Sequence, residues 1–432
     1  MRAWRRDGGG PRGRGPDALR RRIAGGLLPW FERSARALPW RTRRTAYRVV
    51  VSEFMLQQTR VDQARPYFLA FVRRFPGWRR LAAAAPQDVL KAWEGLGYYA
   101  RARNLQRLAR SVVRDHGGRL PASAASLAAL PGIGPYTAAA VESLARNRPA
   151  AVVDGNVARV FSRLLAVRLD PRRAADRERV RRRSMSLLPA GRSRAYNESL
   201  MELGALVCTP RSPRCGDCPL RAVCRAGRAG RAEEFPGRWP ARARPVKTVG
   251  AAVVLDARGR VLIARRREGD RLGGLWEFPG GKRERGEDLA ACIRREMREE
   301  LGIGVEVGRR LIRVDHDYSH FSIRLHAHWC RHVSGRPRAI ECAGFAWVSP
   351  PRLRRYPFSR ADLHVLDALE AALRADRAGG VRRRPGGGRH PASSTDQGRP
   401  RRGPATAGSA SRLRRTTRSA ARGTGSGGAP SR

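Results

Sequence analysis

From Asp17 to about Cys224 the apolar residues recur three or four positions apart, and no stretch alternates with period two. The pattern predicts helices over 18–38, 46–58, 61–75, 102–116, 136–144 and 157–167. Breakers such as Phe75-Pro76-Gly77 and Leu130-Pro131-Gly132 part them. After residue 246 the texture changes. Residues 248–255 and 261–265 are short β-branched runs split by Asp256-Ala257-Arg258-Gly259, a hairpin signature. Gly280-Gly281 leads into an amphipathic run over 289–301, further strands are expected at 323–330 and 345–348, and a last helix at 361–373. The fold class is therefore multidomain, an all-α domain followed by a small α/β domain. The boundaries read as a basic tail without periodicity at 1–16, a helical domain at 17–228, an Arg/Pro/Gly-rich linker at 229–246, an α/β domain at 247–375 and a second disordered basic tail at 376–432.

Composition narrows the partners. The 432 residues are 41% hydrophobic, enough for real cores, and carry a formal charge of +52. Nearly all of it is arginine, with lysine only at Lys91, Lys247 and Lys282. Such a charge suits a polyanion such as DNA, although a GC-rich genome that writes arginine for lysine would raise it too. No apolar run approaches the roughly 18 residues of a membrane span, and Met1–Gly15 lacks the apolar core of a secretory signal. A soluble, cytoplasmic, nucleoid-associated monomer is the expectation. Of seven cysteines, four crowd into 208–224 while Cys292, Cys330 and Cys342 stand apart as expected buried thiols. The clustering points to ligation rather than to a disulfide framework.

Cys208-x6-Cys215-x2-Cys218-x5-Cys224 can enclose one metal centre, since thiolate is the ligand form and a short loop converges its ends. Four cysteines also suit tetrahedral zinc, but zinc ribbons usually pair two short knuckles and this segment has one. Leu130-Pro131-Gly132-Ile133-Gly134-Pro135-Tyr136 reads as a helix end, a glycine turn and a new helix start, in which Gly132 and Gly134 let backbone N–H groups point together at a phosphate. Asp154 follows Tyr136 by 18 residues in Val152-Val153-Asp154-Gly155-Asn156. A lone aspartate there would be a helix N-cap. A carboxylate can also stabilise the cation that develops on a sugar when an N-glycosidic bond breaks.

Together these motifs resemble the helix–hairpin–helix, Gly/Pro/Asp superfamily of DNA glycosylases from about Leu38 to Cys224, and within it the MutY type of adenine DNA glycosylase. The resemblance implies a [4Fe–4S] cluster on the four cysteines, with Arg211, Arg214, Arg221 and Arg225 facing phosphate. It implies Asp154 as the catalytic carboxylate, supported by Asn156. In Ser52-Glu53-Phe54-Met55-Leu56-Gln57-Gln58-Thr59 it implies Glu53 as the acid that protonates adenine at N7. Burial among apolar neighbours would hold that glutamate neutral. Gln58 would wedge into the duplex, helped by Gln57. The motifs Leu38-Pro39-Trp40-Arg41, Gly95-Leu96-Gly97-Tyr98-Tyr99-Ala100-Arg101 and Asn197-Glu198 are also similar. They imply Trp40 and Glu198 near adenine and Tyr98 beside the lesion. Enzymes of the superfamily that nick the strand carry a lysine where this chain has Tyr136. A monofunctional glycosylase is therefore expected, acting on double-stranded DNA with adenine opposite 8-oxoguanine or guanine, rather than an endonuclease III-like pyrimidine enzyme.

In the second domain Gly281-x5-Glu287-x7-Arg295-Glu296-Met297-x-Glu299-Glu300 satisfies the Nudix box. Glu296, Glu299 and Glu300 fall at i, i+3 and i+4 of a helix, where like charges repel unless a cation such as Mg²⁺ or Mn²⁺ neutralises them. The domain resembles MutT, and the box is generally degraded in MutY-type proteins. Tyr318-Ser319-His320 is similar to the loop with which those proteins contact 8-oxoguanine. An intact box raises a further expectation, hydrolysis of nucleoside triphosphates such as 8-oxo-dGTP. A non-enzymatic DNA scaffold is disfavoured by the presence of both Glu53 and Asp154.

Overall fold

The helical half forms because its apolar positions are spaced for it and its ends are capped. The computed structural model describes residues 16–237, 244–270, 272–318 and 321–378. Its first helices are α1 (Pro16–Ser34), α2 (Ala46–Leu56), α3 (Val61–Arg74), α4 (Trp78–Ala83), α5 (Pro86–Trp93) and α6 (Ala100–His116). The side chain of Thr45 caps α2 by accepting from Arg48 N, and α6 ends on Gly117 in the left-handed region at φ 62°. In α6, Ala102, Leu105, Ala109 and Val112 fall on one stripe and are buried against Phe54, Phe71 and Trp93. α1 stops at Ser34, short of the expected Leu38, and just beyond it the Arg36 backbone N donates to the Glu202 carboxylate at 2.9 Å instead of to a helical carbonyl.

α7 (Ala124–Ala128) and α8 (Pro135–Ala140) enclose the glycine turn, and α9 (Gly155–Leu165), α10 (Ala174–Ser186), α11 (Ser193–Leu206) and α12 (Arg225–Arg228) follow. The single helix expected over 136–144 is divided: after Ala140 the chain widens into a π turn over Val141–Ala145, a device that re-aims side chains near functional sites. A second core of Ile23, Leu27, Phe161, Tyr196 and Leu203 joins α1, α9 and α11. The first part of the expected linker also folds onto this core. Ala232–Glu234 makes a 3₁₀ turn, Phe235 is buried, and Arg163 Nε donates to the carbonyls of Ala232 and Phe235 at 2.8 and 3.1 Å.

The remaining residues build a seven-stranded sheet from β1 (Val246–Leu255), β2 (Val261–Arg265), β3 (Trp276–Glu277), β4 (Gly280–Lys282), β5 (Gly304–Asp317), β6 (Ser322–Ser334) and β7 (Gly344–Val348). The order is β3-β2-β1-β6-β5, with β4 on β1 and β7 on β2. β1 and β6 run parallel from Val246↔Ser322 to Leu255↔Arg331, and the other pairs are antiparallel. Alternation along β1 sorts its residues by face. Ala252 and Val254 meet Ile293, Met297 and Leu301 of α13 (Leu289–Leu301), whereas Ala251 and Val253 meet Val365, Leu366 and Leu369 of α14 (Arg360–Ala378). Asp288 caps α13 through Ala291 N, and Gly302 ends it at φ 68°. Cys292, Cys330 and Cys342 are buried free thiols.

Both halves belong to one compact unit. Leu275, between β2 and β3, is fully buried in the helical core beside α5 and α6. Gln87 clasps the same stretch, accepting from Trp276 Nε1 at 2.9 Å and donating to Gly274 O at 2.9 Å. The expected tails at 1–16 and 376–432 lie almost wholly outside the described residues, which begin in α1 at Pro16 and end in α14 at Ala378.

Candidate active site

A cleft of about 570 Å³, open to solvent, lies where α2, α8, α9 and α11 meet. Trp40, Glu53, Gln57, Gln58, Tyr136, Asp154, Asn156 and Glu198 all line it, so residues up to 158 positions apart in the chain are brought to one place.

Glu53 sits on the inner face of α2 and is only 4% exposed. Its Oε2 accepts a 2.8 Å hydrogen bond from the Tyr136 hydroxyl at the start of α8. Burial pushes the carboxyl up to about 7, the bond from Tyr136 works against this, and the nearby charges of Asp154 and Glu198 reinforce it. Burial, with the charges of Glu53 and Asp154, raises Tyr136 well above the ordinary phenol range, so it remains a donor.

Asp154 is set up differently. It is the N-cap of α9, with Oδ1 accepting from Val157 N at 2.7 Å and Oδ2 from Asn156 Nδ2 at 3.0 Å. Burial raises its carboxyl too, but those donors and the Arg159 guanidinium act against the rise. The same side chain thus caps α9 and lines the cleft. Of the two acids, Glu53 is the one suited to carry a proton near neutrality and Asp154 the one suited to stay ionised.

Sequence reasoning missed the arginines around this pair. Arg159 Nη2 donates to Asn156 Oδ1 at 2.8 Å and to Gly204 O at 2.7 Å, and its Nε donates to Cys208 O at 2.8 Å. One side chain therefore joins the support of Asp154 to the first cysteine of the loop. Across the cleft, Arg44 grips Glu198 with two bonds of 2.6 and 3.0 Å, and Arg41 bridges Glu198 and Glu202 at 3.5 and 2.9 Å. Arg36 holds Glu202 with its backbone N, Nε and Nη2. Although burial opposes its charge, Arg36 and Arg41 keep Glu202 below the usual carboxylate range. Glu198 and Glu202 lie one turn apart on α11, a spacing visible in the sequence, but in a chain so rich in arginine nothing marks which arginines are buried.

Tyr98, Gly132 and Gly134 lie outside the cleft lining. Gly132 takes φ 76°, and a Cβ there would come within 3.1 Å of the Phe54 ring, so the turn is pressed against α2. Ile133 is buried while Gly132 and Gly134 face outward. Gln58 and Tyr98 share one feature, positive φ values of 58° and 49° on non-glycine residues. Such strain persists only where neighbours impose it. The neighbour is Arg101, buried, which donates to the carbonyls of Phe54, Met55 and Gln57 on one turn and Leu96 and Gly97 on the other.

The four cysteines frame a separate cavity with Arg163, Arg214, Arg221 and Gly227. Burial pushes the Cys218 thiol up to about 12, with the other cysteines adding to the rise, so four thiolates coexist there only with a compensating cationic centre. Among the described residues no three His, Cys, Asp or Glu side chains converge to hold a single ion. A cavity ringed by four sulfurs fits an iron–sulfur cluster better than one zinc. Arg163 Nη1, 3.2 Å from Cys208 Sγ, supplies a donor to a ligand sulfur. Arg211, Arg214, Arg221 and Arg225 are exposed on this loop.

On the sheet, the space a Cβ of Gly281 would need is filled by the Glu296 carboxylate at 2.2 Å, so the glycine loop closes directly on the acidic face of α13. Arg295 holds Glu287, Glu296 and Glu299 at 2.9, 2.9 and 2.7 Å. Glu300 accepts from Gly280 N. Burial and the charge of Glu296 raise it to about 7. Burial raises Glu277 to about 8, against the pull of Arg266. Hard carboxylate oxygens of this kind suit a divalent cation, but here Arg295 occupies three of the carboxylates and takes a cation's place. Tyr318 stacks on Phe321 with centroids 4.9 Å apart, while Ser319 and His320 lie outside the described residues.

Comparison with known proteins matches three regions of the chain to known families. Residues 51–189 match the model of the HhH-GPD superfamily of base excision DNA repair proteins, 208–224 the iron–sulfur binding domain of endonuclease III, and 250–368 the NUDIX domain. The adenine DNA glycosylase of Homo sapiens is 32% identical over 381 residues, 75% of this chain and 70% of that protein. That of Rattus norvegicus is 31% identical, covering 82% and 79%. The Mycolicibacterium smegmatis adenine DNA glycosylase is 42% identical over 47% of this chain and 69% of its own length. With a helix–hairpin–helix core, an iron–sulfur loop and a Nudix region in that order, the chain belongs to the adenine DNA glycosylase family.

Proposed function

We propose that the protein releases adenine from double-stranded DNA in which adenine is opposite 8-oxoguanine or guanine. The observation that carries this reading is one cleft holding two buried carboxyls with unlike hydrogen-bonding, Glu53 under Tyr136 and Asp154 on its cap. An adenine turned out of the stack enters the cleft beside Trp40 and Glu198. As the N-glycosidic bond breaks, its electron pair leaves with the base and the Glu53 proton goes to N7. Ionised Asp154 faces the charge developing on the sugar, and Asn156 holds it there. Water then closes on the sugar carbon and returns a proton to Glu53. Gln57 and Gln58 fill the vacated stack, offsetting part of the few kcal/mol that flipping costs. Gly132 and Gly134 offer backbone N–H groups to phosphate, and the loop of Tyr318, Ser319 and His320 meets the opposite base. Tyr136 offers no amine, so the strand is not nicked. The cysteines 208, 215, 218 and 224 would hold the cluster, whose contribution is to stiffen the loop.

The test is release of adenine from a duplex without added metal. Wild-type protein frees the base and leaves the strand intact, and Asp154→Asn lowers the rate at least a hundredfold. Undiminished release by Asp154→Asn would refute the mechanism.

A second reading rests on the raised carboxyls Glu277 and Glu300 beside the glycine loop. Glu296, Glu299 and Glu300 would hold Mg²⁺ or Mn²⁺, which would neutralise a bound diphosphate in hydrolysis of an oxidised nucleoside triphosphate. Glu299→Gln then abolishes Mg²⁺-dependent nucleotide hydrolysis and spares adenine release. Nucleotide hydrolysis that persists in that variant would sink this reading.

A further inference from the structure

Hydrogen bonds from the helical part converge on one short stretch of the sheet part, the backbone of Tyr356–Phe358. Glu94 Oε1 accepts from Phe358 N at 2.8 Å, and the Tyr99 hydroxyl donates to Phe358 O at 3.0 Å. Lys91 Nζ, paired with Glu94 at 2.5 Å, donates to Tyr356 O at 3.2 Å. Glu94 and Tyr99 are also the two shoulders of the turn that carries Tyr98. That turn is tightly folded, with φ of 94° at Gly95, 72° at Gly97 and 49° at Tyr98. The Tyr99 hydroxyl accepts from Gly95 N at 3.3 Å, so one buried side chain grips the turn and the sheet segment together. Burial raises its phenol, which keeps it a donor.

The connection continues on both sides. Ser359, next to Phe358, donates to Asp362 Oδ2 at 2.7 Å, and both lie near the Tyr318 phenol. In the other direction Arg101 ties the Tyr98 turn to the Gln58 turn through shared carbonyl bonds. Tyr318 is thus a near neighbour of Ser359, and from the adjoining Phe358 backbone hydrogen bonds run to both strained turns.

We propose that Glu94 and Tyr99 are positioning residues that couple the sheet part to the turns of Tyr98 and Gln58. The identity of the base opposite adenine then governs how well those turns open the duplex. The inference rests on the proposed excision reaction and adds to it a route from lesion to cleft. Apolar contact at Leu275 already docks the two parts, so packing alone does not require polar bonds at both shoulders of one turn.

The test compares single-turnover adenine release opposite 8-oxoguanine and opposite guanine for wild type, Tyr99→Phe, Glu94→Ala and Glu94→Gln. Each removed bond is the kind worth about 1 kcal/mol, or roughly fivefold. Tyr99→Phe and Glu94→Ala are expected to lower the preference for 8-oxoguanine about fivefold to tenfold. Release opposite guanine should stay within about twofold and the melting temperature close to wild type. Glu94→Gln keeps an acceptor for Phe358 N and should retain most of the preference. Unchanged preference in Tyr99→Phe and Glu94→Ala would overturn the coupling while leaving the excision reading intact. So would an equal loss on both substrates, the mark of a merely structural role. A wild-type protein that releases adenine from neither duplex would instead sink the excision reading, and the coupling with it.

Discussion

At the scale of single residues the account turns on how two carboxyls of the same chemistry are made unlike. Glu53 has one hydrogen-bond donor and deep burial, whereas Asp154 has two donors and a nearby guanidinium. The sign of the pH dependence follows. A carboxyl raised to about 7 carries its proton below that value and loses it above, so adenine release should fall as pH rises through about 7. Release should also fall at low pH, where Asp154 takes up a proton. Glu53→Gln should lower the rate by about 10²–10⁴ and remove the upper limb. Stability moves with it. The folded state holds this proton more tightly than the unfolded one, so stabilisation present below about 4.5 fades as pH rises through about 7. The Glu53→Gln protein should then melt no lower than wild type at pH 8, which calorimetry would check. Arg159 makes a second residue-scale prediction. Arg159→Ala removes the donors to Asn156 and Cys208 and should slow release about tenfold or more with the Glu53 limb kept. Unchanged kinetics would show that Asn156 needs no support.

At the scale of elements the sequence was most legible where apolar periodicity and caps agreed. The runs over 261–265 and 289–301 appear in the structure with the expected bounds, as β2 and α13. It was least legible where arginine hid the period. α10 buries only Val180 and Ser184 among many charged positions, and β5 breaks its alternation with register shifts between Val307 and Ile312. The π turn after Ala140 was hidden too, since it arises from packing rather than from residue type. Of the site, Glu53, Tyr136, Asp154 and Asn156 were readable as motifs, but Arg159 on Asn156 and the arginines holding Glu198 and Glu202 were not. The turns give the clearest element-scale test. Gly95 has φ 94° and no room, with Tyr67 Oη 2.2 Å from the position of a Cβ, so Gly95→Ala should destabilise the protein by at least about 1 kcal/mol. A chemical denaturation curve with an unchanged midpoint would contradict the strained-turn description.

At the scale of the whole molecule, two modules are clamped to the helical part, one at α9 and the other at α5 and the turn before α6. The cysteine loop reaches them through Arg159 and Arg163, and the sheet part through Leu275, Gln87, Glu94 and Tyr99. Loss of a cluster ligand should therefore loosen the segment from Cys208 to Phe235 as a unit, because burial pushes the Cys218 thiol up to about 12 and Arg163, 3.2 Å from Cys208 Sγ, does not offset four thiolates. Cys218→Ser should lose iron-dependent absorbance and become more susceptible to proteolysis within this segment. Intact absorbance in that variant would argue against ligation by this cysteine.

The most direct measurement is the single-turnover rate of adenine release from a duplex bearing adenine opposite 8-oxoguanine, followed across pH for wild type and Glu53→Gln. The account predicts a wild-type rate that declines above about pH 7, matching the Glu53 carboxyl, and a variant slower by at least about a hundredfold with no such decline. A variant as fast as wild type, or a wild-type rate flat through neutral pH, would contradict it.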